Sequence, residues 1–487
     1  MIRIVLIITC FISSLPLLFA QSQINEAIKA LTQDAAMSHA SVSICVLDVE
    51  TGETVGNYQA KKSLTPASSM KVVTTGAALA ILGEDYKFKT MLQYDGSVDE
   101  AGTLKGNLYI LGQGDPTLGS SEFEAADPLD VLLPKFYEAI QKVGIKKIEG
   151  RIVGDASWLG TQGSGSTWAY EDLGNYYGAA AMGLNIHENM YFLSLQQNPK
   201  LSAPPKVKKV EPQIPNLLLM NELTSGPKDS GDNAYIFGAP NHYVCYIRGT
   251  IPLGNKAFTI KGSIPNPAFT TAHLLMNHLE KMGIQTSKHA TTQMELDLEG
   301  TVKNKRNTFY THQSPDLKTI VERTNMKSVN LYCEAMLRVL GKEKKGKGTA
   351  EAGLEVVNDF WKKKGLKLDG FYLEDGSGLS PYNAVSAYHL ATVMRLIKKD
   401  AALFNSFYDS LPVAGKSGAL RNRLKGTAAQ GNLRAKSGGL NRVRSYTGLA
   451  KNKQGKWLSF SMIVNNYSGG SWPVLKRMER LMGAICE

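Results

Sequence analysis

The spacing of apolar residues changes along the chain and predicts a mixture of strands and helices. Residues 40–59 alternate between apolar and polar positions on either side of a short turn, which predicts a β-hairpin. Residues 69–83 are mostly small and apolar and end in Gly83, a pattern typical of a buried helix. Residues 127–144 and 269–283 repeat apolar residues every three or four positions, which indicates two further helices.

Segments with helical periodicity follow one another more closely in the last third of the chain. Three segments repeat apolar residues at three- and four-residue intervals, namely 330–341, 350–365 and 384–399. Residues 442–466 alternate around a turn and predict a second hairpin, and residues 473–485 form a last amphipathic segment. Strands at both ends with helices between them indicate one α/β sheet built from both termini, with an insertion in the middle of the chain.

Length, composition and charge narrow the class of protein. A chain of 487 residues has room for roughly two to four domains. Hydrophobic residues make up 43% and charged residues 20%, which is typical of a globular protein and excludes wholesale disorder. The net charge of +12 is spread along the chain, without an arginine-rich arm or zinc-finger spacing. The charge therefore favours an anionic environment or substrate, and we expect no nucleic-acid partner.

The first residues predict the compartment. The segment 1–20 carries one cation, Arg3, ahead of an apolar run and ends in the small residue Ala20, as secretory signal peptides do. An N-terminal membrane anchor is the alternative, but the apolar run is short for a membrane span. No later segment approaches 18 uninterrupted apolar residues. We therefore expect an exported protein without a stable membrane span.

The cysteines and histidines give little support for a metal or cofactor site. Four cysteines follow the signal peptide, and in so long a chain they do not form a disulfide framework; they are Cys45, Cys245, Cys333 and Cys486. No CxxC or HExxH spacing occurs, and the eight histidines are scattered. We expect buried free cysteines, no metal and no cofactor.

Ser68 and Lys71 lie three residues apart at the start of the apolar helix, which places both side chains on one face. A serine hydroxyl becomes an effective nucleophile when a base removes its proton, and a neutral lysine can act as that base. Burial favours the neutral amine, and the N–H groups at a helix N-terminus stabilise developing negative charge. Because the S-x-x-K spacing also occurs by chance, it predicts a nucleophile only together with other motifs.

A second candidate motif, Ser328-Val329-Asn330, precedes the helix predicted at 330–341. A serine and an amide on one edge of a turn can relay a proton and hold a substrate amide. Serine and asparagine are also favoured as helix N-caps, and for this motif in isolation the capping interpretation is preferred.

The third candidate motif is a Lys-Ser-Gly tripeptide, which occurs twice. One begins at Lys416, in a loop that no alternating run follows. The other, Lys436-Ser437-Gly438, stands directly before the second hairpin and can lie on a strand. An ammonium and a hydroxyl in that position can bind a carboxylate, and glycine lets a ligand approach the backbone closely. We therefore predict that Lys436 is the functional lysine.

The ordered set S-x-x-K, S-x-N and K-[ST]-G resembles the signature of penicillin-recognising serine enzymes. The long separation of Ser68 from Ser328 resembles the class C low-molecular-mass penicillin-binding proteins, the D-alanyl-D-alanine carboxypeptidase/endopeptidases of peptidase family S13. Further segments match this family along the chain, at 65–68, 114–118, 168–179, 375–380 and 420–427.

The resemblance implies an α/β (α+β) fold whose main part is a transpeptidase-like domain, a five-stranded antiparallel sheet flanked by helices. This domain would comprise residues 21–88 and 315–487. One smaller inserted domain would comprise 89–185 and 266–314. A second, 186–265, would be nested inside it.

The resemblance also implies the reaction. Ser68 would be the acylated nucleophile, Lys71 its base, and Ser328 would relay the proton to the leaving amine. The substrates would be peptidoglycan stem peptides, cleaved at the D-alanyl-D-alanine bond and also at the bond between D-alanine and a diamino acid. β-Lactams would acylate the same serine as covalent inhibitors, and the enzyme would act in the periplasm.

Substrate-binding residues follow from the same resemblance. Asn330 would bind the peptide amide of the substrate, and Lys436 and Ser437 would bind its terminal carboxylate. The oxyanion hole would consist of the backbone N–H groups of Ser68 and Gly439.

Two positions depart from the family pattern. Ser437 stands where relatives usually carry threonine, a change that keeps the hydroxyl. Pro381 stands where relatives often carry an arginine that helps to bind the diamino acid side chain. Asp172 is our candidate for contacting the amino group of that side chain, and an ordinary exposed loop aspartate is the alternative.

Two other functions are compatible with these motifs. A β-lactamase or an esterase could use the same scaffold, although no separate deacylating carboxylate is evident. A non-catalytic wall-binding or penicillin-sensing protein is the second alternative, but it would not need both the nucleophile and its base.

Overall fold

The computed structural model of the protein describes residues 21–487, so the predicted signal peptide lies outside the described residues. Within them, the secondary structure follows the hydrophobic pattern. Both predicted hairpins form, and the predicted buried helix ends at Gly83, whose φ of 90° terminates it. Across residues 21–487, no helix combines the length and the apolar character that crossing a membrane requires.

The described chain contains both strands and helices throughout its length. The strands are β1 (Ser41–Asp48), β2 (Thr54–Tyr58), β3 (Ser63–Leu64), β4 (Lys89–Tyr94), β5 (Ser97–Val98), β6 (Thr103–Lys105), β7 (Leu108–Gly112), β8 (Lys147–Ile148), β9 (Ile152–Asp155), β10 (Met190–Gln196), β11 (Lys206–Glu211), β12 (Leu218–Asn221), β13 (Thr224–Gly226), β14 (Asn233–Phe237), β15 (Val244–Pro252), β16 (Ala257–Ser263), β17 (Gln285–Thr286), β18 (Thr291–Thr292), β19 (Asn307–Gln313), β20 (Val385–Ser386), β21 (Arg434–Leu440), β22 (Val443–Lys451) and β23 (Trp457–Asn465). The helices are α1 (21–32), α2 (Lys71–Leu82), α3 (Leu129–Lys142), α4 (Tyr170–Leu173), α5 (Pro267–Lys281), α6 (Gln293–Leu298), α7 (Leu317–Lys327), α8 (Asn330–Lys345), α9 (Ala350–Lys363), α10 (Ala387–Lys399), α11 (Ala401–Asp409) and α12 (Ser471–Ile485).

The first and last strands of the chain meet in a five-stranded sheet with the order β2-β1-β23-β22-β21. Every neighbouring pair is antiparallel, and β1 pairs with β23 along its full length, from Ser41 opposite Asn465 to Asp48 opposite Leu458. The predicted α/β fold with a five-stranded antiparallel sheet is therefore confirmed. Strand β21, which carries Lys436, lies at one edge of this sheet.

Helices cover both faces of this sheet. On one face, Ile44 and Met462 belong to an apolar core that includes residues of α1 and α12. On the other face, Cys45 and Leu47 pack with Ala391 of α10. Because both faces are covered, side chains on both sides of β1 and β23 are buried. Both strands therefore contain runs of consecutive apolar residues.

The chain divides into two compact units. The first comprises the described residues up to Glu84 together with 318–329 and 354–487, and it contains the five-stranded sheet. The second comprises Asp85–Leu317 and Asn330–Gly353. Its largest sheet has the order β18-β9-β7-β4-β19, and its apolar core includes residues of α3 and α5. The finer domain boundaries that the resemblance implies stay a prediction.

The four described cysteines are all buried and free, which confirms the expectation from the sequence; they are Cys45, Cys245, Cys333 and Cys486. Burial raises the pKa of the Cys45 thiol to about 12. A thiol with so high a pKa stays protonated at neutral pH and is unreactive.

The second unit contains a buried carboxylate, that of Asp115, which is 1% exposed. One of its oxygens accepts hydrogen bonds from the backbone N–H and the hydroxyl of Thr117, at 2.8 and 2.7 Å. The other oxygen, Oδ2, has no hydrogen-bond partner. Burial is the main cause that raises the pKa of Asp115 to about 6, since the Thr117 hydrogen bonds act in the opposite direction.

Asp115 should make the stability of the protein depend on pH. The folded state holds this proton more tightly than the unfolded chain, so protonation stabilises the fold as the pH falls through about 6. We expect Asp115 to add about 1 kcal/mol to the free energy of unfolding when the pH falls from about 7.5 to about 5. Asp115→Asn keeps an oxygen for Thr117 and should remove that increment. Urea unfolding of both proteins at the two pH values measures it, and an identical pH dependence would contradict this role.

Candidate active site

Ser68 lies in a tight turn, Ala67–Met70, that leads directly into α2; we call it the serine turn. Ala67 has a φ of 49°, a left-handed conformation that residues with side chains seldom adopt and that often accompanies functional sites. Lys71, the first residue of α2, is fully buried, and its Nζ lies 2.9 Å from Ser68 Oγ. The hydroxyl and the amine are therefore in hydrogen-bond contact.

The amine of Lys71 is also held by a segment far along the chain. Its Nζ donates to the carbonyl oxygen of Ser377 at 2.7 Å. Asp375 shapes this loop, because its carboxylate accepts hydrogen bonds from the backbone N–H groups of Gly378 and Ser380 at 2.7 and 2.6 Å. The loop thereby fixes the direction of the lysine side chain toward the serine turn.

Two glycines allow other segments of the chain to pack closely against the serine turn. A Cβ on Gly378 would collide with the carbonyl oxygen of Ala67, and the φ of 81° at this glycine also disfavours any side chain. A Cβ on Gly438, in β21, would lie 2.7 Å from the carbonyl oxygen of Pro66. The edge strand that carries Lys436 therefore runs directly against the turn that carries Ser68.

Ser328 and Lys436 meet although they are 108 residues apart in the chain. Lys436 is 1% exposed, and its Nζ donates to Ser328 Oγ at 2.8 Å and to the carbonyl oxygen of Ser437 at 2.9 Å. Ser328 has a φ of 61° and lies between the end of α7 and the start of α8. Since α8 begins at Asn330, Val329 occupies the N-cap position that the alternative interpretation assigned to this motif, and the Ser328 hydroxyl accepts the hydrogen bond from Lys436.

The first unit thus combines the Ser68 hydroxyl and the adjacent Lys71 amine with a second pair, in which Lys436 of the edge strand binds the Ser328 hydroxyl. The first pair can generate a nucleophile, and the second can bind an anionic group or transfer a proton. Among residues 21–487, no group of three or more His, Cys, Asp or Glu side chains is arranged to hold a metal ion.

Asn330 and Asp172 lie in the second unit, where a tyrosine connects them. Asn330 Nδ2 donates to the carbonyl oxygen of Tyr177 at 2.7 Å. Partial burial raises the pKa of Asp172, and a hydrogen bond with the Tyr177 side chain offsets part of that effect. Asp172 is accordingly half-buried, unlike an ordinary exposed loop aspartate. Our sequence prediction did not single out Tyr177, although it lies in the segment 168–179 that matches the family.

The other Lys-Ser-Gly tripeptide is not part of this cluster. Lys416 is exposed in a turn, where its backbone N–H donates to the carbonyl oxygen of Val413. Lys436, in contrast, is buried on a strand. The two identical tripeptides therefore occupy different environments, as the alternation after Lys436 predicts.

The remaining predicted positions lie along the end of β21 and near the serine turn. Ser437 is half-buried, Gly438 is buried and Gly439 is exposed. Pro381, at the place of the family's arginine, accepts a hydrogen bond on its carbonyl oxygen from the Thr65 hydroxyl at 3.0 Å. The proline thus contributes backbone contact here and no cationic side chain.

The fold and this cluster together define a serine hydrolase of the penicillin-recognising class. The model of the D-Ala-D-Ala carboxypeptidase 3 (S13) family matches residues 24–482, nearly the whole chain. The chain therefore belongs to the D-Ala-D-Ala carboxypeptidase 3 (S13) family and is a serine-type carboxypeptidase.

Individual relatives resemble the chain over most of its length. A D-alanyl-D-alanine carboxypeptidase of Actinomadura sp. (strain R39) is 28% identical over 92% of this chain and 82% of its own. A D-alanyl-D-alanine carboxypeptidase of Haemophilus influenzae is 24% identical over 88% of this chain and 86% of its own. The crystal structure of penicillin binding protein 4 from Haemophilus influenzae covers 93% of this chain and 97% of its own, with a TM-score of 0.79 and 23% identity, which shows a common fold.

Proposed function

We propose that this enzyme hydrolyses the D-alanyl-D-alanine bond at the end of peptidoglycan stem peptides through an acyl-enzyme on Ser68. The same site would also cleave the bond between D-alanine and a diamino acid. The observation that carries the proposal is the pair of contacts in the first unit, from Lys71 Nζ to Ser68 Oγ at 2.9 Å and from Lys436 Nζ to Ser328 Oγ at 2.8 Å.

Acylation begins when the neutral Lys71 amine accepts the proton of the Ser68 hydroxyl. The position of Lys71 supports this role, since its amine is fully buried and lies 2.9 Å from the Ser68 hydroxyl. Ser68 Oγ then bonds to the carbonyl carbon of the penultimate D-alanine, and the backbone N–H groups of Ser68 and Gly439 stabilise the oxyanion. As the C–N bond breaks, Ser328 donates its hydroxyl proton to the leaving amine, and the Lys71 ammonium returns a proton to Ser328, which leaves both groups neutral again.

Deacylation reverses these proton movements. Water attacks the ester carbon, Lys71 accepts the proton of the water, and the C–O bond to Ser68 breaks as the serine regains a proton. The products are the shortened stem peptide and the free enzyme. A β-lactam would form the same kind of ester with Ser68. Its ring-opened amine would remain covalently part of the acyl group instead of diffusing away, so the ester would be hydrolysed slowly.

Substrate recognition would use the edge of the five-stranded sheet. An edge strand such as β21 has backbone groups that an extended peptide can pair with. Lys436 and Ser437 would bind the terminal carboxylate by charge-assisted hydrogen bonds. Asn330 would bind a peptide amide, and Asp172 would contact the amino group of the diamino acid side chain.

The proposed location is the periplasm or another part of the cell envelope. The predicted signal peptide and the peptidoglycan substrate both support it. The related penicillin binding protein 4 of Haemophilus influenzae has been crystallised in complex with a β-lactam, which supports β-lactams as inhibitors.

The proposal predicts one product and one covalent adduct. Purified protein beginning at Gln21 should release a single D-alanine from a pentapeptide that ends in D-alanyl-D-alanine. A fluorescent penicillin should label the tryptic peptide 63–71, because trypsin cleaves after Lys62 and Lys71. An adduct on any other peptide would overturn the assignment of Ser68.

The same experiment separates the alternative functions. Turnover of the chromogenic cephalosporin nitrocefin that is faster than D-alanine release would identify a β-lactamase. Penicillin labelling of peptide 63–71 without any D-alanine release would identify a penicillin-sensing protein.

A further inference from the structure

A small sheet in the second unit exposes a face rich in aromatic side chains. Strands β12 and β14 both pair with β15, and side chains alternate between two faces along each strand. One face is buried, as Ile236, Cys245 and Ile247 show. On the other face, Tyr235 and Tyr246 are exposed to solvent. Exposed large apolar side chains that share one face indicate a binding surface.

Cross-strand pairing places these exposed residues side by side. Phe237 and Met220 both lie opposite Tyr246, and Tyr235 lies opposite Arg248. The Arg248 guanidinium lies 5.3 Å from the ring centre of Phe237 and 5.0 Å from that of Tyr246. These contacts form a continuous surface of rings around the Arg248 guanidinium, which also forms an ion pair with the Glu222 carboxylate at 2.7 Å. We call this surface the aromatic face.

The aromatic face continues onto the helix that carries Asp172. Tyr170 of α4 is 59% exposed, and its ring centre lies 5.7 Å from that of Phe237. Asp172 lies on the same helix, two residues after Tyr170. Burial, Asp172 and Tyr235 together raise the pKa of the Tyr177 hydroxyl. The residue proposed to contact the stem peptide thus borders the aromatic face within the second unit.

We propose that the aromatic face binds the glycan strand of peptidoglycan, the polymer to which the stem peptides are attached. This inference rests on the proposed function, because the stem peptides that the enzyme would cleave are attached to this sugar chain. Sugar rings present C–H groups that pack on the electron-rich faces of aromatic rings, and tyrosine hydroxyls can bond sugar hydroxyls. Arg248 binds the Glu222 carboxylate through its Nε–H, and the other N–H groups of its guanidinium can donate to hydroxyl and carboxylate oxygens of this polymer.

Binding to intact cell-wall sacculi tests the inference in the absence of turnover. In a Ser68→Ala background, the double substitution Tyr170→Ala with Tyr246→Ala should weaken co-sedimentation with purified sacculi about tenfold, since it removes two exposed rings on which sugars would pack. Tyr58→Ala is the matched control, because Tyr58 lies on strand β2 of the first unit and is 37% exposed, against 36% for Tyr246. This control should bind sacculi like the parent protein.

Competition identifies what occupies the face. Glycan strands stripped of peptides should displace the parent protein from sacculi but have little effect on the residual binding of the double variant. Unchanged binding of the double variant, or displacement by free stem peptides alone, would overturn the inference. So would a dimer of the parent protein that the double substitution dissociates, since the face would then be an interface between two copies.

A short substrate separates this inference from the proposed function. With Ser68 intact, the double variant should release D-alanine from a pentapeptide without glycan at the parental rate. Loss of that release together with an unchanged thermal unfolding midpoint would place the two tyrosines in peptide binding and contradict glycan binding. If the parent protein releases no D-alanine, the proposed function fails, whereas the sacculus assay still tests the aromatic face.

Discussion

Ser68→Ala is expected to lower kcat/KM for D-alanine release by about 10⁴-fold or more and to abolish the covalent penicillin adduct. The reason is that Ser68 Oγ is the hydroxyl in contact with the buried amine of Lys71, at 2.9 Å. Without that oxygen no ester can form, whatever else binds the substrate. Steady-state D-alanine release and mass spectrometry of the penicillin-treated protein measure the two effects.

The neighbouring serine provides a matched control. Ser69 is fully buried, and its hydroxyl donates to the carbonyl oxygen of Pro66 at 2.8 Å. Ser69→Ala removes a hydroxyl one residue away, so it should cost stability while the adduct still forms. An adduct that survives Ser68→Ala and disappears with Ser69→Ala would reverse the assignment.

Lys436→Met is expected to lower kcat/KM by about 10²–10³-fold, because it removes the buried cation proposed to bind the substrate carboxylate. The substitution also deprives Ser328 of the hydrogen bond that Lys436 donates at 2.8 Å. Acylation by penicillin should become slower while the adduct still maps to peptide 63–71. The rate constants of acylation and of D-alanine release are the measurements.

The second Lys-Ser-Gly tripeptide supplies the control for this prediction. Lys416→Met makes the same chemical change at an exposed turn and should leave kcat/KM within about twofold of the parent, as surface substitutions usually do. A large loss of kcat/KM with Lys416→Met and none with Lys436→Met would show that Lys416, and not Lys436, is the functional lysine.

Much of the candidate site could be predicted from the sequence because its key residues lie in local patterns. Ser68 and Lys71 are three residues apart at a helix start, so their contact follows from helix geometry. The choice of Lys436 over Lys416 followed from the alternating run after the former, which predicted the strand that now holds it. The pairing of the first and last strands followed from hydrophobic runs at both ends.

The supporting contacts could not be predicted, because they join segments that are far apart in the chain. The carbonyl oxygen that holds the Lys71 amine comes from Ser377, 306 residues later. Asn330 contacts Tyr177 through the backbone carbonyl oxygen of the tyrosine. Such a contact does not depend on the tyrosine side chain, so the sequence gives no sign of it. The need for glycine at 438 appears only in the structure, where a Cβ at this position would lie 2.7 Å from the Pro66 carbonyl oxygen.

The free cysteines have a practical consequence for obtaining the protein. Since the thiols of Cys45, Cys245, Cys333 and Cys486 are buried and form no cross-link among the described residues, the fold is held by non-covalent contacts alone there. A reducing cytosol therefore removes nothing that this part of the chain needs. Recombinant material beginning at Gln21 can be produced inside a host cell and handled in thiol-containing buffers, without passage through an oxidising compartment.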